Sequence, residues 1–120
     1  MADLLPDADL ERMAELMRTL GHETRLRLLG TLLAKGETSV GELEALTGIG
    51  QPGLSQQLAI LRKAALVNTR RAAKLVYYSI APEAAAPAAA FLARLAVPQG
   101  GDQTPRRRAR GSAATFARIL

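Results

Sequence analysis

Cysteine is absent from the 120 residues, and so is tryptophan. Without thiols the chain forms no disulfide, offers no thiolate to a metal and has no nucleophilic sulfur. Other aromatics are scarce: Tyr77, Tyr78, Phe91 and Phe116 are the full set. Leucine and alanine must therefore do the packing. One histidine is present, His22, at an expected helix start. It reads as a capping or solvated group, because a tight transition-metal site needs three or four good donors. No apolar run is long enough to span a bilayer, and the N-terminus is acidic where a signal peptide would be basic. A cytoplasmic, soluble chain is the expectation. Catalytic signatures are missing as well. GTLLAKGET lacks the glycine spacing and the Gly-Lys-Ser/Thr of a phosphate loop. No Ser-His-acid set can be built on a capping histidine. Glu42 and Glu44 fall on different helix faces and look solvated. We expect no enzyme, no cofactor and no metal.

What is there suits one small domain with a modest core: 48% hydrophobic residues and a net charge of +5. The stretch 39–80, SVGELEALTGIGQPGLSQQLAILRKAALVNTRRAAKLVYYSI, organises the rest. Ser39 with Glu42 three residues on is a capping box. Val40, Leu43 and either Leu46 or Thr47 then recur at helical spacing. Gly48 and Gly50 end that helix and open a turn. Gln51 and Pro52 begin the next, with Pro52 in the first turn, where its missing N–H does no harm. Leu54, Leu58, Leu61 and Ala65 form its core stripe. Ser55, Gln56, Ala59 and Lys63 lie opposite.

Residues 67–71 and 75–80 are rich in β-branched and aromatic types and read as a hairpin. Arg70, Arg71 and Lys74 gather at its tip. From Ala45 to Pro82 there is no acidic residue, while Arg62, Lys63, Arg70, Arg71 and Lys74 lie inside. A few cations are more often a solvated face. Here they accompany a helix-turn-helix and a polar helix face of hydroxyl and amide groups, which base edges and phosphates accept. Together they read as a winged helix-turn-helix that sets a helix in the DNA major groove. The fold expected is mainly α, about five helices with a β-hairpin wing.

The segment LGHETRLRLLGTLLAKGETSVGELEALTGIGQPGLSQQLAILRKAALVNTRRAAKLVYYSI, residues 20–80, resembles the ArsR/SmtB family of bacterial winged-helix repressors. Within it, SVGELE, GIGQPGLSQQL and the TRR before the wing tip are most similar to a branch of sulfide and persulfide sensors, the BigR and YgaV type. The resemblance implies a homodimeric repressor on an inverted-repeat operator. Carried over from GQPGLSQQL, the groove-facing set is Gln51, Ser55, Gln56 and Gln57, although the helical wheel puts Gln57 near the buried stripe. Arg62 and Lys63 would touch phosphate, with Arg70, Arg71 and Lys74 on the wing. An architectural DNA binder or a protein-docking winged helix is the alternative. The acid-free stretch argues against docking.

Residues 7–20 read as an amphipathic helix, with Leu10, Met13, Leu16 or Met17 and Leu20 as its stripe and Asp7 and Asp9 favourable at its start. Met13 and Met17 read as packing groups rather than redox or metal groups. A second helix spans 23–34, with Leu26, Leu29, Leu33 and Ala34 or Leu32 facing inward. Arg25 and Arg27 could lie near phosphate or be exposed. A last, alanine-rich helix runs from near Pro82 towards Val97. Pro87 either marks its true first turn or kinks it. By resemblance the first and last helices form the dimer interface, through Leu10, Met13, Met17, Phe91, Leu92 and Leu95. Residues 1–97 would be the DNA-binding and dimerisation domain. Residues 98–120 form a Pro/Gly/Arg-rich tail, expected to be flexible, that is either a phosphate anchor or a solubiliser. Residues 113–120 could add a short helix.

The family's signalling positions are unfilled. Ser39 and Gly41 stand at the Cys-x-Cys-like positions, and residues 82–97 hold no histidine and only Glu83 as a carboxylate. Gly30 and Val97 stand where the persulfide branch has its cysteine pair. Sensing through those metal or thiol sites is not expected. The effector is left open between a small apolar molecule lying between the terminal helices and Gly30, no signal at all, and a protein partner or the chain's own concentration.

Overall fold

Leucine does fill the core. Leu28, Leu32, Leu43, Leu54, Leu58 and Leu61 are fully buried and pack with Leu66 and Val67. In the computed structural model, which describes residues 6–98, this cluster is wrapped by five helices and one sheet. The elements in order are α1 (Asp7–Leu20), α2 (Glu23–Lys35), β1 (Thr38–Ser39), α3 (Val40–Thr47), α4 (Gly53–Lys63), β2 (Val67–Ala72), β3 (Leu75–Ile80) and α5 (Pro82–Leu95). The expected winged helix-turn-helix is present. Most of the tail and the short helix expected at 113–120 lie outside the described residues.

The helix-turn-helix is built by local chemistry. Ser39 Oγ accepts from the Glu42 N–H, and the Glu42 carboxylate accepts from the Ser39 N–H, so the capping box closes both ways. Gly48 ends α3 in the left-handed region, at φ 75°, where a Cβ is penalised. Of the two residues expected to complete the inner stripe of α3, Thr47 is half-buried and Leu46 is exposed. Pro52 does not enter the first turn of α4. It takes the N-cap position, and the helix begins at Gly53. The cap is supplied by Gln51, whose Oε1 accepts from the Ser55 N–H at 3.0 Å.

Ala65 leaves the stripe assigned to it. The helix has ended, and Ala65 is exposed at φ 61°. Its N–H donates to Arg62 O while the Leu66 N–H donates to Leu61 O. These two bonds make a Schellman turn, with buried Leu66 meeting buried Leu61 across it.

The buried side of α2 also differs from expectation. Leu28 and Leu32 are inside with Leu29 half-buried, while Leu26 and Leu33 are 53% and 55% exposed and Ala34 is exposed. Leucines at 26, 28, 29, 32 and 33 satisfy two overlapping helical stripes. Periodicity cannot choose between them. The contacts of α2 with α3, α4 and β3 make the choice.

The sheet has one strand more than the hairpin predicts. Its order is β1-β3-β2, all antiparallel. Ser39 pairs with Tyr77, and Tyr77 pairs on its other side with Arg70. Pro82 is the first residue of α5 and Pro87 lies inside it, where no N–H is available for the Glu83 carbonyl. Ala88 is buried, Ala84 and Ala85 are half-buried, and α5 packs on α1.

Candidate nucleic-acid interface

Helix α4 buries Leu54, Leu58 and Leu61, and this rotation turns Ser55, Gln56, Ala59, Arg62 and Lys63 to solvent. Ser55 and Gln56 sit in its first turns, and the two cations sit in its last. The outward face thus runs from neutral hydrogen-bonding groups to positive charge without an acidic residue. Gln51 lies beside it with its amide oxygen occupied by the cap.

Gln57 is placed differently from its companions. It is half-buried, and its Oε1 accepts from Arg25 Nε at 2.9 Å. Arg25 is therefore neither a free surface cation nor disposed like Arg27, which is exposed and paired with Glu23 at 3.0 Å.

The wing carries the remaining cations. Arg71 and Lys74 are exposed, with Lys74 in the two-residue turn between Ala72 and Leu75. Arg70 is not gathered at the tip with them. Its Nε and Nη2 donate to the two carboxylate oxygens of Glu37 at 2.9 and 2.8 Å, and its guanidinium lies 4.9 Å from the centre of the Tyr77 ring. The bidentate bond holds the Glu37 carboxyl below its ordinary range and raises Arg70 further. One expected phosphate contact thus already has a counter-ion. Glu37 lies before the acid-free stretch 45–82 in the sequence. Only the pairing of β1 with β3, which a two-residue strand does not announce, brings it to the wing.

A second surface is apolar. Leu10, Leu92 and Leu95 are 47%, 44% and 66% exposed on the packed pair α1 and α5, Phe91 is exposed beside them, and Met13 and Met17 are half-buried. Gly30 lines an open groove with Leu26, Ala34 and Leu46, whose walls come from α2 and α3. Among the described residues no group of three or more His, Cys, Asp or Glu could hold a metal, and no helix is long and apolar enough to cross a membrane.

Comparison with known proteins agrees with this geometry. The family model described as bacterial regulatory protein, arsR family, matches residues 22–69. A biofilm growth-associated repressor of Agrobacterium fabrum is 55% identical over 74 residues, 62% of each chain. The transcriptional regulator YgaV of Escherichia coli is 38% identical over 77 residues, 64% of this chain and 78% of that one. The crystal structure of the repressor BigR from Xylella fastidiosa superposes with a TM-score of 0.58 at 42% identity, covering 73% of this chain and 91% of that one. The chain spans 62 to 64% of the length of the biofilm growth-associated repressors it matches.

Proposed function

The chain belongs to the bacterial ArsR family of regulatory proteins, and from that membership we propose that it is a DNA-binding transcriptional repressor, not an enzyme, that grips an inverted-repeat operator as a homodimer. The observation that carries this reading is the outward face of α4. It presents Ser55 and Gln56 to solvent and has Arg62 and Lys63 at its C-terminal end, and the wing that follows it in the chain carries the exposed cations Arg71 and Lys74. Hydroxyl and amide groups read base edges, and the cations bind phosphate by displacing condensed counterions. Gln51, which caps α4, borders the same groove face.

The dimer is proposed through α1 and α5. Two copies of the face formed by Leu10, Met13, Met17, Phe91, Leu92 and Leu95 would cover apolar side chains that one copy leaves in water. Residues 1–97 form the working domain in this reading, and 98–120 a basic tail that adds salt-sensitive affinity. The signal is not a metal or persulfide at the family's usual positions, since the chain holds Ser39, Gly41, Gly30 and Val97 there and no cysteine.

The test is fluorescence anisotropy on the DNA flanking its own coding sequence, against a scrambled duplex, across a salt series. Native DNA is expected to bind more tightly, and to do so still at physiological salt. Equal, salt-labile binding to both duplexes would sink the proposal. Gln56→Ala should relax sequence preference. Lys74→Ala should weaken binding to every duplex and reduce the salt slope by about one unit.

A further inference from the structure

Arg25 joins three helices. Its Nε–H donates to Gln57 Oε1 on α4, and its Nη1 donates to the Thr19 carbonyl at the end of α1, 3.3 Å away. Carbonyls in the last turn of a helix lack intrahelical partners. Gly21 and His22 turn their N–H groups back to Met17 and Leu20, so the carbonyl of Thr19 is left for Arg25. Thr19 itself is buried, its hydroxyl donating to the Glu15 carbonyl. The anchor on α1 is therefore fixed. A planar guanidinium can hold two acceptors on different elements at once, which an ammonium on a flexible stem does poorly.

We infer that Arg25 is a positioning residue: it sets the seat of α4 against α1 and α2, and so decides how well the outward face of α4 discriminates sequence. The bridge also fixes the polarity of Gln57. With its oxygen engaged by Arg25, the side chain is less free than an unpaired glutamine to turn a paired donor and acceptor towards adenine. Its nitrogen is left as a donor only. The inference rests on the reading of α4 as the groove helix, so its test has one arm that uses no DNA.

Arg25→Met keeps the bulk of the stem and removes the fork, and Gln57→Met breaks the same bond from the other side. In the free protein, backbone amide exchange along α4 should quicken in both variants by roughly five- to ten-fold, with β3 unchanged. The double variant should add little to either single one, because both remove one interaction. Arg25→Lys should restore only part of the protection. On DNA, the ratio of native to scrambled affinity should fall by roughly ten-fold in Arg25→Met, with the salt slope unchanged, since no phosphate contact is lost.

Unchanged α4 exchange in both variants would overturn the inference. So would a salt slope lower by about one unit with the affinity ratio intact, which would make Arg25 a phosphate contact. If the parent chain itself fails to distinguish the duplexes, the repressor reading fails, and the exchange experiment still decides whether Arg25 seats α4.

Discussion

Ser39 is buried and closes its capping box with Glu42 at 3.0 to 3.2 Å. Ser39→Ala should lower stability by about 1 kcal/mol, or roughly 4 °C in a thermal melt. The Glu42 carboxyl is held below its ordinary value of 4.5, first by the backbone N–H of Ser39 and then by its hydroxyl. A folded value below the unfolded one means the contribution is full above 4.5 and is lost as pH falls through the folded value. Melting temperatures of the parent and Glu42→Ala should therefore differ at neutral pH and converge on acidification below that range. Ala65 sits at φ 61° in a turn that glycine fills without penalty. Ala65→Gly should raise stability by about 0.5–1 kcal/mol by chemical denaturation, even though it removes a side chain.

At the scale of the element, the wing is tied to the strand before α3. Glu37 occupies Arg70, and Arg70 lies over Tyr77. Of the wing cations, Arg71 and Lys74 should therefore matter more to DNA binding than Arg70. Alanine at either of those two should cost more affinity than Arg70→Ala in the same anisotropy assay. Glu37→Gln should act in the opposite direction. It releases Arg70 and removes a negative charge from the wing, so binding to every duplex should tighten and the salt slope steepen by up to about one unit. Weaker binding in Glu37→Gln would mean that the pair serves chiefly to hold the wing in shape.

For the molecule as a whole, the uncovered side chains of α1 and α5 set the expectation. Leu92 and Leu95 are far more exposed than the core leucines, and a charge among them would be buried without a partner if two copies met there. Leu92→Glu should sediment as a monomer where the parent sediments as a dimer, with its far-ultraviolet spectrum unchanged. Its preference for an inverted repeat over a single half-site should vanish, because one copy reads one half-site. A dimeric Leu92→Glu would show that the copies meet elsewhere.

Where a residue's neighbours in sequence decide its role, the sequence by itself was enough. The capping box at Ser39, the stop at Gly48, the stripe of Leu54, Leu58 and Leu61 and the two strands of the wing all arise from contacts spanning at most a few residues, or one hairpin. They appear as spacing and residue type. The winged helix-turn-helix and its polar outer face followed from them. Tertiary structure alone decided which leucines of α2 go inside, because two stripes compete there and only the packing of α3, α4 and β3 breaks the tie. It alone brought Glu37 to Arg70 across 33 residues and Arg25 to Gln57 across 32. Such pairs carry no local pattern. A hydrogen bond forms wherever folding sets a donor within about 3 Å of an acceptor, and that distance belongs to the packed chain rather than to the order of its residues.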